Sequence, residues 1–227
     1  MMSSYFEFLA TRQADIFQAL KEHLMISFVS VLLGAIIAIP IGIILAGNRI
    51  AWLNSVVFVI ANILQTIPSL ALLAVLIPLL GVGRTPAIFA LFLYSLMPIL
   101  RNTFAGFQSV DPNLLEAARG MGYNKTQRLL HIQLPLAFPY IMSGIRVTTV
   151  YIISWATLAT LIGAGGLGQL IFAGMGTNKK ELIFTGAILA VILALIIDFL
   201  LSLAEKWVTS SANPAANRVK AARGGSR

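Results

Sequence analysis

The sequence predicts an all-α integral membrane protein with about five transmembrane helices and a structured cytoplasmic elbow. Three observations point there. Of the 227 residues, 58% are apolar and only 11% are charged, and mean hydropathy is +0.89, a balance that soluble domains do not carry. Long uncharged runs separate the charges, and a helix needs about 20 apolar residues to cross a hydrocarbon core about 30 Å thick. These runs lack the period-two alternation of a barrel. In a bilayer every backbone polar group must be bonded within the protein, which leaves helices.

Residues 1–23 form a lead-in ahead of the membrane domain. Phe6, Leu9, Ala10, Ile16, Phe17 and Leu20 recur at three-to-four spacing, which fits an amphipathic interfacial helix or an ordinary lead-in with no specific role. Residues 1–8 contain Glu7 and no Lys or Arg, so a cleavable signal is not expected. The membrane domain is expected over 24–204. No charge falls between His23 and Arg49, which gives a first helix at 24–47 with a kink at Pro40. The run from Arg49 to Arg84 is too long for one straight span and holds Gln65, Thr66, Pro68, Ser69 and Pro78, so a bent second helix is expected at 53–80. A third helix, 85–104, contains Pro98 and ends near Arg101, which can snorkel to the headgroups. After a polar stretch at about 105–135 come a fourth helix at 136–162, a glycine-rich segment, and a fifth helix at 182–204. The basic remainder, 205–227, reads as a cytoplasmic tail, disordered from 210 onward, that anchors topology rather than recognising lipid.

The basic residues set the orientation. With the N-terminus outside, 11 of the 16 Lys and Arg residues fall on or near the cytoplasmic side, from Arg49 and Arg101 through Arg119, Lys125, Arg128 and Arg146 to the tail. That satisfies the positive-inside bias and places both the polar stretch and the C-terminus in the cytoplasm. Multi-pass residence in the plasma or inner membrane follows, with membrane lipids as neighbours. The net charge of +8 is scattered among apolar segments, so nucleic acid is not an expected partner. Cysteine is absent and His23 and His131 lie far apart, so no metal site is expected.

The polar stretch is the most informative segment. Asp111 can cap a helix whose first residue is Pro112, because proline's fixed φ and missing N–H suit that position. Gly120 and Gly122 can end it in a left-handed cap. Asn124 with Gln127 three residues on then resembles a capping pair that opens a second short helix, 125–132. The result is a helix-turn-helix elbow suited to docking a cytoplasmic partner.

Glu116-Ala117-Ala118, Gly122, Ile132 and Leu134-Pro135 resemble the EAA loop of ABC importer permeases, four elements within 20 residues. The resemblance implies a MetI-like membrane fold in which the first short helix of the elbow is a coupling helix seated on the ATPase. Glu116, Ala117, Ala118, Arg119, Gly120 and Gly122 would then make or shape that contact. Further stretches, Gln65-Thr-Ile-Pro-Ser-Leu-Ala, Pro98-Ile-Leu-Arg-Asn-Thr and Ala156-Thr-Leu-Ala with Ile162-Gly-Ala-Gly-Gly-Leu-Gly, are similar to permeases for osmoprotectants such as glycine betaine, carnitine and choline. The resemblance covers about 24–204. It implies an ATPase dimer that carries ATP and Mg, a second permease subunit, identical or paralogous, and a separate extracellular or periplasmic substrate-binding protein. A fused binding domain is not expected. Two rival readings stay open: the same architecture serving another small solute such as methionine, and a membrane scaffold with no pathway.

Other signals resolve against chemistry. Gly163-Ala-Gly165-Gly166-Leu-Gly168 matches a dinucleotide fingerprint, but it follows a membrane helix instead of a strand. It reads instead as an outer hinge or gate. The stretch 120–126 ends like a P-loop but has Asn124 where glycine is required, so no nucleotide or other cofactor is expected on this chain. No catalytic residues are expected either, since only Asp198 of the eight acidic residues lies inside a predicted span. Asp198 reads first as a structural partner of Arg146 and second as a substrate contact. Gln65, Thr66, Pro68 and Ser69 are candidates to line the path, because Pro68 frees backbone groups at mid-span; the alternative is a bent helix satisfied internally. Phe58, Phe89, Phe92, Tyr94, Phe138, Tyr140, Tyr151 and Trp155 are expected to be dispersed over different helices, so the chain alone is expected to bind a quaternary amine weakly.

Overall fold

The computed structural model describes residues 10–48 and 50–212, with side chains through Trp207. Arg49, the first nine residues and the cationic tail from 213 onward, with their expected roles, lie outside the described residues. The described chain is helical throughout and contains no strand. Among the described residues four helices are long and apolar enough to cross a membrane, or five if a broken pair bent by 94° is counted as one span. Its large exposed apolar side chains, such as Leu32, Ile36, Val191, Leu195 and Phe199, suit lipid contact rather than water.

The long spans pack through small residues. Helix α1 (Gln13–Gly47) buries Ser27, Ser30, Gly34, Ala38 and Gly42 on one face. Past a broken pair, α2 (Ala51–Thr66) and α3 (Ser69–Leu80), helix α4 (Arg84–Gln108) lies against that face. A Cβ on Gly34 would overlap the Ser95 side chain, and one on Gly42 would meet Thr103. On its other side α4 meets α7 (Leu134–Ala156), where Gly144 faces Asn102 and Gly106 faces Ala137 and Tyr140. Close backbone approach at small residues replaces the hydrophobic drive that lipid removes. Helix α9 (Lys180–Ala212) closes the bundle against α7 and the short α8 (Leu167–Gly176), with Gly174 and Gly186 at the contact.

Several boundaries differ from the sequence reading, each for a physical reason. Helix α1 begins at Gln13 rather than 24. Ile16, Ala19 and Leu20 pack with Ile153, Leu167, Leu170 and Leu182, so part of the lead-in's apolar face is covered by protein. Helical spacing alone does not say whether lipid or protein covers a face. The expected bent helix 53–80 is two helices, α2 and α3, meeting at 94° around Ile67 and Pro68. The elbow's second arm is not a separate helix. From α6 (Lys125–Arg128) the chain runs through a wide turn, Leu129–Gln133, into α7, with the Leu134 N–H bonded five residues back to Leu129. Pro135 has no N–H to donate, which a local π-type turn accommodates. α7 stops at Ala156, and a tight 3₁₀ turn, Leu158–Ile162, replaces its expected last residues. α8 was not anticipated; ten residues are too few to span a bilayer.

Candidate functional site

Three regions carry the residues singled out by sequence. At the elbow, α5 (Pro112–Gly120) starts as the sequence dictates: the Asp111 carboxylate accepts the Asn113 N–H at 2.8 Å, and Pro112 takes the first turn. It ends at Gly122, φ +87°, where the Tyr123 N–H reaches the Ala118 carbonyl and the Gly122 N–H reaches Arg119, both at 3.0 Å. This is a Schellman cap, and it needs the left-handed residue that glycine supplies. Asn124 and Gln127 then exchange reciprocal hydrogen bonds of 2.8 and 2.9 Å, the predicted capping box. Glu116, Ala117, Arg119, Gly120 and Gly122 are exposed, while Ala118 is fully buried. A groove of about 580 Å³ runs between Leu115, Glu116, Arg119, Gly120 and Arg128, and Met121 is exposed beside it.

The second region is the break between α2 and α3. Gln65 and Ser69 are half-buried there, and Thr66 and Pro68 are exposed. The Ile67 carbonyl accepts a 2.6 Å hydrogen bond from the Tyr94 hydroxyl of α4, and the Gln65 side chain lies near the Tyr151 hydroxyl of α7. Thr66 bonds back to the Ile63 carbonyl. The expected dispersal of aromatics is incorrect here: Trp155 lies between Tyr94 and Tyr151, with ring centroids 5.3 Å away on each side. Tyr151 and Trp155 sit one turn apart on α7, but only the fold brings Tyr94 to them. Phe58 pairs with Phe104 at 5.1 Å and Phe89 with Phe92 at 5.8 Å.

The glycine-rich segment forms the third region, a clasp on α1. The Gly166 N–H donates to the Glu22 carboxylate at 3.2 Å, and the Leu167 N–H donates to His23 Nδ1 at 3.3 Å. Because Nδ1 accepts, His23 carries its proton on Nε2 and donates it to the Ile153 carbonyl at 2.9 Å. Glu22 also accepts from Arg84 at 2.5 Å and from Gln18 at 2.7 Å. Gly83 N–H reaches the Ile162 carbonyl at 2.7 Å, and Thr160 donates to Gly165 at 2.6 Å. Gly163, Gly165 and Gly166 all have positive φ. A Cβ on Gly165 would overlap the Glu22 carboxylate, one on Gly166 would press on His23, and one on Gly168 would overlap the Thr157 carbonyl. Gly163 faces open space. The sequence pointed to these glycines but missed Glu22, His23 and Arg84; the available signal was an adjacent Glu-His pair entering an apolar run.

Between α7 and α9, Arg146 grips Asp198 with two bonds of 2.6 and 2.8 Å and approaches Glu205 at 3.5 Å. The structural partnership predicted for Asp198 is present.

Residues 38–211 match the family of binding-protein-dependent transport system inner membrane components. The chain belongs to that family. It is therefore a transport permease, a multi-pass membrane protein whose family is not itself catalytic. The permease is 47% identical to the choline transport system permease protein OpuBB of Bacillus subtilis, over 89% of this chain and 93% of that one. It is 47% identical to the glycine betaine/carnitine/choline transport system permease protein OpuCB of the same organism, over 92% and 95%. The carnitine transport permease protein OpuCB of Listeria monocytogenes is 49% identical over 84% of this permease and 87% of its own length. Among solved structures, the inward-facing MetNI methionine ABC transporter superposes with a TM-score of 0.79 at 27% identity, covering 88% of this permease and 98% of that chain. The all-helical fold is thus shared with that transporter over most of both chains.

Proposed function

We propose that this permease forms the translocation path of an ATP-driven importer for a small osmoprotectant such as glycine betaine, carnitine or choline. The observation that carries the reading is the identity of 41–49% to permeases named for those solutes, extending over more than four-fifths of the chain. The elbow supplies the surface for an ATPase dimer: Glu116, Ala117, Arg119, Gly120 and Gly122 face outward on a doubly capped helix, and buried Ala118 ties that helix down. ATP and Mg belong on the ATPase, and this chain carries no cofactor of its own. Five spans enclose too little space for a solute, so a second permease subunit, identical or paralogous, faces this one. A separate binding protein meets the outer face, where Gly163, Gly165, Gly166 and Gly168 act as hinge or gate. Gln65, Thr66, Pro68 and Ser69 line the path. The N-terminus is outside and the C-terminus cytoplasmic, in line with the positive-inside bias.

The test is ATP hydrolysis by the complete complex reconstituted in lipid. Glycine betaine, carnitine or choline should stimulate it through the binding protein, and methionine should not. Stimulation by methionine alone would reverse the assignment, and no response to any solute would favour a scaffold.

A further inference from the structure

Tyr94 lies near the middle of α4 and is 1% exposed, while Tyr151 and Trp155 are half-buried at the surface of the single subunit. The Tyr94 hydroxyl is bonded across the α2–α3 break to the Ile67 carbonyl, and the Tyr151 hydroxyl lies near the Gln65 side chain. The two phenol rings are tilted at 45° and 47° to the indole between them. Half-buried Gln65 stands beside Tyr151, and exposed Thr66 follows it at the break. Polar groups at this depth belong against protein or water rather than lipid tails.

The charge setting is as informative as the rings. Among the described residues the carboxylates lie elsewhere: Glu22 in the clasp, Asp198 and Glu205 on Arg146, Asp111 and Glu116 at the elbow, Asp15 and Glu181 in the first turns of α1 and α9. A cation at the break therefore meets ring faces and no counter-ion. Ring faces attract a cation whose hydration is weak, and a quaternary ammonium, which has no N–H to satisfy, is such a cation. Without an ion pair the hold is loose and release is fast.

We propose that Tyr94, Tyr151 and Trp155 form an aromatic step in the path, on which the quaternary ammonium of the cargo rests between leaving the binding protein and reaching the cytoplasm. The step rests on the substrate reading above and adds a site within this chain. Tyr151 and Trp155 meet the cation, and Tyr94 positions the indole.

Two measurements test it in the complete transporter in lipid. First, uptake is measured against external choline for Trp155→Leu, Tyr151→Leu, Trp155→Phe and Tyr151→Phe. Removing a ring lowers the maximal rate about tenfold, the scale of one desolvated cation–ring contact. The half-saturating concentration stays put, because the binding protein sets it, and the Phe variants keep most of the rate. Leu variants that transport like wild type overturn the step, as do Phe variants that lose as much as the Leu ones. Second, in case a Leu variant does not assemble, basal ATP hydrolysis of the wild-type membrane complex without binding protein is followed in millimolar choline or its uncharged isostere 3,3-dimethylbutan-1-ol. A response to choline alone supports the step, while equal responses or none overturn it. Failure of every quaternary amine to stimulate the complete wild-type system would overturn the substrate reading itself, before any variant is made.

Discussion

The elbow and the glycine-rich clasp end helices in opposite ways. At the elbow every cap is local: Asp111 to Asn113, Tyr123 to Ala118, Asn124 to Gln127 and back. In the clasp the N-terminus of α8 is satisfied by α1, through His23 and Glu22, 144 residues away in sequence. A locally capped helix keeps its shape while leaving its outer surface free for a partner. A helix capped from afar cannot move without breaking bonds elsewhere. The first arrangement suits a docking surface and the second a gate whose opening must be coupled to the rest of the bundle.

Stability measurements on single variants sharpen that contrast. The largest effect is expected for His23→Ala, which deprives the buried Leu167 N–H and the Ile153 carbonyl of their side-chain partner; at about 1–3 kcal/mol for each stranded group, the loss is roughly 2–6 kcal/mol. It is read as a lowered unfolding midpoint of the purified permease in detergent. Gly165→Ala comes next. It combines a left-handed backbone, φ +85°, with an overlap on Glu22, costing about 2 kcal/mol or more. Gly163→Ala, at φ +77° but facing open space, carries only the backbone cost of about 1–2 kcal/mol. Asn124→Ala removes one exposed local cap and costs about 1 kcal/mol or less. Equal shifts for Asn124→Ala and His23→Ala would erase the distinction between the two regions.

The same contrast explains what the sequence made legible. The caps of α5 and α6 and the turn at Gly122 could be read because donor and acceptor lie within about five residues. The Arg146–Asp198 pair could also be anticipated, since an ionised carboxylate at membrane depth demands a partner and a suitable arginine was within reach. Pro68 announced a bend but not its 94° angle, which the packing of α3 against α4 decides. Helix α8 stayed hidden because its ten residues fit neither a span nor a capped surface helix: Gly166, at its N-cap position, has no side chain to signal the start. The Glu22 and His23 contacts and the meeting of Tyr94 with Trp155 depend on how distant segments pack, so no local pattern encodes them. Of the expected path residues, Gln65 gained a neighbour that sequence alone could not name.

The central claim is that the elbow is the surface through which ATP hydrolysis drives this permease. Gly122→Asp tests it most directly, because an aspartate at φ +87° strains the turn and adds a charge to an exposed face while leaving every membrane helix unaltered. The variant is expressed with its partner ATPase, purified from the membrane, and assayed for bound ATPase and for solute uptake. The account predicts wild-type amounts of inserted permease, loss of the ATPase from the complex, and uptake reduced to background. Full ATPase retention together with normal uptake would contradict it.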